Sequence, residues 1–172
     1  VKKINLGCGG RTFPGEEWLN VDLGEGDGPV GVNYRQMDIS KPLPFDDGTF
    51  DEVFSCHVIE HFWPWEIAGI LREWVRILKK GGTFTVECPN IHGVAAMILE
   101  AEKLKHDTLW TEALKAVYGD PADKALPMRH KWGYSPRSLS GLLKIVGLHD
   151  IHQEPAHYKM KEPRDMRIVG YK

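Results

Sequence analysis

Long hydrophobic runs are missing from this chain. No stretch of its 172 residues approaches the roughly 18 to 20 apolar side chains that a membrane-crossing helix needs. The segment VKKINLGCGG at the start lacks the apolar centre of a secretory signal, so a cytoplasmic protein is expected. Cysteine is scarce as well. Cys8, Cys56 and Cys88 are odd in number, widely spaced and outside any C-x-x-C pair, which argues against a disulfide framework and a zinc ribbon and leaves reduced thiols as the expectation. An excess of one charge is also absent: 22 Lys and Arg stand against 24 Asp and Glu, a formal net charge of -2. Such a chain has no global positive field to draw it onto nucleic acid or anionic lipid. Repeats and low-complexity tracts are lacking too.

What is present is the composition of one folded domain. Hydrophobic residues make up 42% and charged residues 27%, which excludes a disordered or collagen-like chain, and the length suits a single core. Short β-rich runs end in glycine turns: Lys3 to Leu6 before Gly7-Cys8-Gly9-Gly10, and Trp18 to Leu23 before Gly24, Gly26 and Gly28. A weak third run spans Tyr34 to Ile39. Phe50 to Cys56 and Thr83 to Cys88 supply a fourth and a fifth strand.

Between the last two lies the strongest periodic signal. Ile67, Ile70, Leu71, Trp74, Val75 and Leu78 recur at helical spacing behind Pro64 and stop at Lys79-Lys80-Gly81-Gly82. Strand, helix and strand in succession form a βαβ unit, hence a parallel sheet with a right-handed crossover. Two amphipathic helices are predicted in the connection after strand five, one through Val94, Met97, Ile98, Ala101 and Leu104, the other through Leu109, Ala113, Leu114 and Val117. Ser135-Pro136 opens a further helix to Val146. His149 to Glu154 and Met166 to Tyr171 are predicted to pair as an edge hairpin.

LGCGG after a strand, an acidic residue closing strand two, PLPF-DD-x-x-FD, HVIEH and RILKKGGTFTVECPN follow one another in order. Together they resemble a class I S-adenosylmethionine-dependent methyltransferase, closest to the small bacterial-type members of that superfamily. The resemblance runs from Ile4 to about Asn90 and reappears in HKWGYSPRSLSGLLKIVGL. It implies an α/β, Rossmann-like, mainly parallel doubly wound sheet of order 3-2-1-4-5, the hairpin at its edge, with residues 92 to 134 a helical cap inserted in the single domain. It also implies S-adenosyl-L-methionine as cofactor.

In an open parallel sheet a ligand sits beyond the carboxyl ends of the strands at the switch point, where the candidate binding residues fall. Gly7 and Gly9 let the backbone approach a ligand, and Asp22 can accept hydrogen bonds from a ribose diol. Asp38 is similar to the superfamily residue that meets the adenine amine, with Ile39 as a wall for the ring. Ser55, Cys56 and His57 would lie under the methionyl part. Two departures from the family pattern stand out. Asn5 replaces the usual acidic residue and can orient the loop without a charge, and Arg11 follows Gly10 and is a candidate to hold the methionine end. Too few residues separate Gly10 from Asp22 for a full first helix, which is expected to be vestigial or replaced by the loop 11–17.

Other readings of the same residues are open. A nicotinamide-binding loop would need a third glycine where Thr12 stands. His57-Val58-Ile59-Glu60-His61 matches the H-x-x-E-H spacing of zinc hydrolases, but Pro64 points to a loop there, so no metal site is expected. The three cysteines are expected to fill tight space rather than to react. His92, His106, His130, Lys131, Trp110, Tyr118, Trp132 and Tyr134 mark the cap as the expected acceptor pocket. His130 is the preferred base and His57 the second, with Tyr134 positioning the acceptor; the competing reading places His130 at the surface. The expected function is methyl transfer to a small polar acceptor, a sugar or envelope precursor on the resemblance alone. The alternative is a non-catalytic S-adenosylmethionine-binding regulatory or adaptor module.

Overall fold

A computed structural model describes residues 1–24, 31–125, 128–158 and 163–172; Gly26 and Gly28 lie outside them. Along the chain come β1 (Lys3–Leu6), β2 (Trp18–Asp22), β3 (Tyr34–Gln36), β4 (Phe50–Cys56), a 3-10 turn (Ile59–His61), α1 (Ile67–Ile77) and β5 (Leu78–Pro89). They are followed by α2 (Ile91–Leu104), α3 (Asp107–Tyr118), α4 (Pro136–Ile145), β6 (His149–Glu154) and β7 (Asp165–Tyr171).

The strands form one sheet in the order β3-β2-β1-β4-β5-β7-β6. β1 to β5 are parallel, while β7 runs antiparallel to both β5 and β6. This is the expected doubly wound sheet, and the hairpin is present with β7 as its inner strand. β1 sits between β2 and β4, and its successive residues Ile4, Asn5 and Leu6, which point to opposite faces of the sheet, are all buried, as in a central parallel strand covered on both faces. No helix replaces the loop between Gly9 and Glu17. No helix among the described residues is long and apolar enough to cross a membrane.

Several expected boundaries differ, most of all at β5, which begins at Leu78 rather than Thr83. β3 ends at Gln36 rather than Ile39, because the Asp38 carboxylate accepts from the Ser40 amide (2.9 Å) and hydroxyl (2.6 Å), a local turn that competes with the ladder. α1 ends at Ile77, and Leu78 is already extended and pairs with Phe50, its side chain wholly buried. Burial of Leu78 in the sheet overrides the helical spacing. At the other end Pro64 occupies the first position of a leading turn, where the Trp63 amide donates to Glu66 Oε2 at 3.2 Å and the Ile67 amide to the Trp63 carbonyl.

α1 also explains the proline-rich motif ahead of β4. Glu73 accepts the Leu43 amide at 2.6 Å, and Arg76 donates to the carbonyls of Leu43 (3.0 Å) and Phe45 (2.7 Å), giving an irregular segment the partners a strand would have supplied. Trp74, with no exposed surface, donates its indole N–H to the Ile39 carbonyl at 2.9 Å and so fixes the loop after β3 to the core. Replacing Trp74 with Phe removes that donor and leaves a void. The substitution should lower unfolding free energy by about 2 to 4 kcal/mol in a urea titration; a loss under about 1 kcal/mol would contradict this packing.

Candidate functional site

At the carboxyl edge of the parallel strands a cleft of about 600 Å³ opens between the loops after β1, β2, β3 and β4. Its floor depends on Gly7. The residue has φ +73, and a Cβ there would lie 2.5 Å from Val58 Cγ2 and 3.3 Å from Ile39 Cδ1, so only glycine lets these loops meet. The Gly7 and Cys8 amides both donate to the Val21 carbonyl, and the Gly9 amide donates to Asp22 Oδ2 at 2.7 Å. Asp22 thereby stands at the rim with its carboxylate oriented.

The cleft is lined by Asn5, Gly7, Gly9, Arg11, Asp22, Asp38, Ile39, Cys56 and His57, nine of the ten residues predicted from sequence to hold a cofactor. Asn5 donates from its amide to the Arg11 carbonyl (2.8 Å) and to Asn20 Oδ1 (3.0 Å), which orients the loop as expected. Burial works against the charge on Asp38, but its bonds to Ser40 outweigh this and hold the carboxyl below its usual range. Ser55 is the exception. It is buried in β4, its hydroxyl without a partner among the described residues, and it does not line the cleft.

The proposed bases sit elsewhere than expected. His57, at φ +56, turns its ring into the protein: Nε2 is 2.8 Å from Asp165 Oδ2 and Nδ1 is 3.2 Å from Glu60 Oε1. Burial opposes its charge, yet the two carboxylates prevail and raise its pKa, which favours a protonated ring over a base. His130 is half-buried, its side chain 8% exposed, and it lines a separate, smaller cavity, with Nδ1 2.9 Å from the Ala116 carbonyl. Burial holds its pKa below the ordinary value. Tyr134 lies in the core with a buried, unpartnered hydroxyl whose pKa burial raises, and it does not line the cleft. From the segment 92–134 the described lining residues are Met128 and Lys131 alone. α2 and α3 pack on each other through Val94, Met97, Ala113 and Ala116, with Trp110 and Tyr118 on α3 and Trp132 beyond it, while His106 caps α3 by accepting the Leu109 amide.

Several residues escaped the sequence reading. Glu87, on β5 and almost wholly buried, accepts the amides of His157 (3.1 Å) and Tyr158 (3.0 Å) and a guanidinium N–H of Arg167 (3.0 Å). It thus holds Tyr158 against Phe13 and Phe54, where the ring also faces the Arg11 guanidinium at 5.6 Å. Asp165 and Glu87 come from strands paired side by side, which no local pattern announces. Glu60 was visible only through its H-x-x-E-H spacing.

Comparison with known proteins agrees with this geometry. Residues 18–86 match the family model described as a methyltransferase domain. Over 65 residues the chain is 37% identical to a protein of Mycolicibacterium smegmatis named a probable S-adenosylmethionine-dependent methyltransferase; the match covers 36% of this chain and 24% of that protein. The chain therefore spans about a quarter of the length of that curated relative. The sequence pattern of a methyltransferase domain thus lies across β2 to β5, the strands that carry the cleft. Solved structures share the fold: one of a methyltransferase from Archaeoglobus fulgidus has a TM-score of 0.70 at 19% identity, covering 99% of this chain and 86% of that one. Another, from Mesorhizobium loti, has a TM-score of 0.63 at 15% identity, covering 99% and 90%.

S-adenosylmethionine is the cofactor that the methyltransferase-domain match implies, and the cleft has room for it. Side chains added at Gly9 or Gly10 would meet nothing within 4 Å, so the bare backbone of the loop faces open space in a cavity of small-molecule size. The environment of the thiols works against their ionisation. Burial, seconded by Asp22, pushes Cys8 up to about 12; burial, seconded by Glu87, does the same for Cys56; burial also raises Cys88 well above its ordinary value. A raised pKa keeps each thiol protonated well above neutrality, so native protein at pH 8 should be alkylated by iodoacetamide at least ~100-fold more slowly than free cysteine. Mass spectrometry of timed samples reads this, and rapid labelling of Cys56 would contradict it.

Proposed function

We propose that this domain transfers a methyl group from S-adenosylmethionine to a small polar acceptor that enters beside His61, Phe62, Met128 and Lys131. The observation that carries the reading is the continuity of one cleft from the glycine loop and Asp22 to those residues. One end suits the donor, and the remainder leaves room for a second molecule.

In this reading Asp22 accepts the ribose hydroxyls through oxygens already oriented by the Gly9 and Gly24 amides, 2.7 and 3.3 Å away. Asp38 accepts the adenine amine, and Ile39, pinned by Trp74, is the wall for the ring. Arg11 faces the methionyl carboxylate, since among the described residues it makes no ion pair and Tyr158 keeps it at the cleft. The sulfonium of the bound donor supplies an electrophilic methyl, so the chain's own task is alignment and exclusion of water. Neither His57 nor His130 acts as base, and the acceptor's proton leaves to solvent at the cleft mouth. The sugar-like character of the acceptor rests on family resemblance.

Incubation with S-adenosylmethionine and a fractionated pool of small hydroxyl- and amine-bearing compounds should release S-adenosylhomocysteine together with one product heavier by a methylene. Asp22→Ala, still folded, should bind S-adenosylhomocysteine at least tenfold more weakly by calorimetry, a loss of about 1.5 to 3 kcal/mol. Donor binding with no turnover on any fraction would make the chain a binding module instead. Unchanged affinity in the variant would move the ribose contact elsewhere.

A further inference from the structure

Beside the cleft wall, three groups that can each present a lone pair are turned toward one another. Glu60, His61 and His130 each offer a ligand atom, and these atoms all lie within 4.8 Å of one another. His130 Nε2 is 3.9 Å from Glu60 Oε1, and the two imidazoles meet edge to face with centroids 4.8 Å apart. The Glu60 side chain is 2% exposed, and neither of its oxygens has an aligned hydrogen-bond partner among the described residues. A carboxylate this deeply buried is costly unless something positive meets it; His57 Nδ1, 3.2 Å from Oε1, meets one oxygen, while Oε2 has no hydrogen-bond partner among the described residues and leaves room for a further one.

The outer nitrogens of the two histidines decide what that is. His130 Nδ1 is 2.9 Å from the Ala116 carbonyl and His61 Nδ1 is 3.3 Å from the Arg129 carbonyl. A carbonyl only accepts, so each Nδ1 carries the hydrogen and each Nε2 presents a lone pair. Imidazoles that ligate metals are oriented in this way, the far N–H donated to a backbone carbonyl. The backbone reinforces the arrangement, because the Glu60 carbonyl accepts the amides of Lys131 (2.7 Å) and Trp132 (3.2 Å), which fastens the segment carrying His130 to the turn carrying Glu60 and His61.

We infer that Glu60, His61 and His130 form a binding site for a first-row divalent transition ion of the zinc class. Two neutral imidazoles, which are borderline donors, outnumber the one hard carboxylate and favour such an ion over magnesium or calcium, which prefer oxygen throughout. The ligand set differs from that of an H-x-x-E-H hydrolase: His57, the first histidine of the motif, is turned to Asp165, and its place is filled by His130, about seventy residues on in the chain. The inference departs from the expectation of no metal site, since only the fold brings His130 to the motif. With three protein ligands the ion keeps a further position for water or an oxygen of a bound molecule. His61 lines the donor cleft, so that position is reached from the cleft side. The site does not depend on the chain being an active methyltransferase.

Full-length, tag-free protein stripped with a chelator and titrated with zinc against a chromophoric competitor should take up about one equivalent. Cobalt in its place should give the intense visible band of a four- or five-coordinate centre, while millimolar magnesium should not displace it. His61→Ala, whose side chain is partly exposed, and Glu60→Gln should each weaken zinc binding at least tenfold. Circular dichroism identifies a variant that has not folded, and His61→Ala then decides alone. Absence of stoichiometric uptake by the stripped wild type would overturn the site. So would uptake unchanged in the variants, which would assign the ion to exposed histidines such as His149 and His152.

Discussion

The absence of a side chain at Gly7 is the constraint on which this molecule's cleft depends. A single methyl group there would strike Val58 and crowd Ile39, so the loops after β1, β3 and β4 could not share one floor. The parallel registers of β1 with β2 and β4 deliver those loops to the same edge, and Gly7 allows them to close on each other. Asp22 and Asp38 then stand around the opening with carboxylates already oriented, by the Gly9 and Gly24 amides and by Ser40, so less ordering is left for a ligand to impose.

A second layer of polar contacts comes from the end of the chain. β7 slots between β5 and β6, and through Asp165 and Arg167 it meets His57 and Glu87 beneath the cleft. Buried charges of this kind persist because each has a counterpart: Asp165 with Arg164 and His57, Glu87 with Arg167 and two amides. The cost of desolvating them is offset by pairing, and the geometry they fix is that of the donor site. The antiparallel hairpin is thus part of the site's foundation as well as the edge of a sheet.

Most of the fold was legible in local pattern. Glycine turns after apolar runs located β1 and β2, a glycine turn before the run located β4, the 3.6-residue spacing located α1, and the shortage of residues between Gly10 and Asp22 correctly denied a first helix. The donor side of the cleft was legible for the same reason, since residues directly after parallel strands must converge. The acceptor side was not. His130 and Tyr134 were assigned to the cleft because they follow a long insertion, but chain position does not say which way a side chain turns. Burial sent Tyr134 into the core and His130 toward Glu60. Asp165 and Glu87 could not be found at all, because their meeting with His57 and Tyr158 is made by strand pairing across the sheet. The short β3 and the early end of α1 were missed where a side-chain turn at Asp38 and the burial of Leu78 overrode propensity.

The central claim is that one cleft, floored by Gly7 and rimmed by Asp22 and Asp38, holds the donor. Its most direct test is a crystal structure of the protein with S-adenosylhomocysteine bound. The account requires the ribose hydroxyls within hydrogen-bond distance of Asp22, the adenine against Ile39 with its amine toward Asp38, and the amino-acid end toward Arg11. Density for the ligand in any other cavity, or a ribose turned away from Asp22, would contradict it.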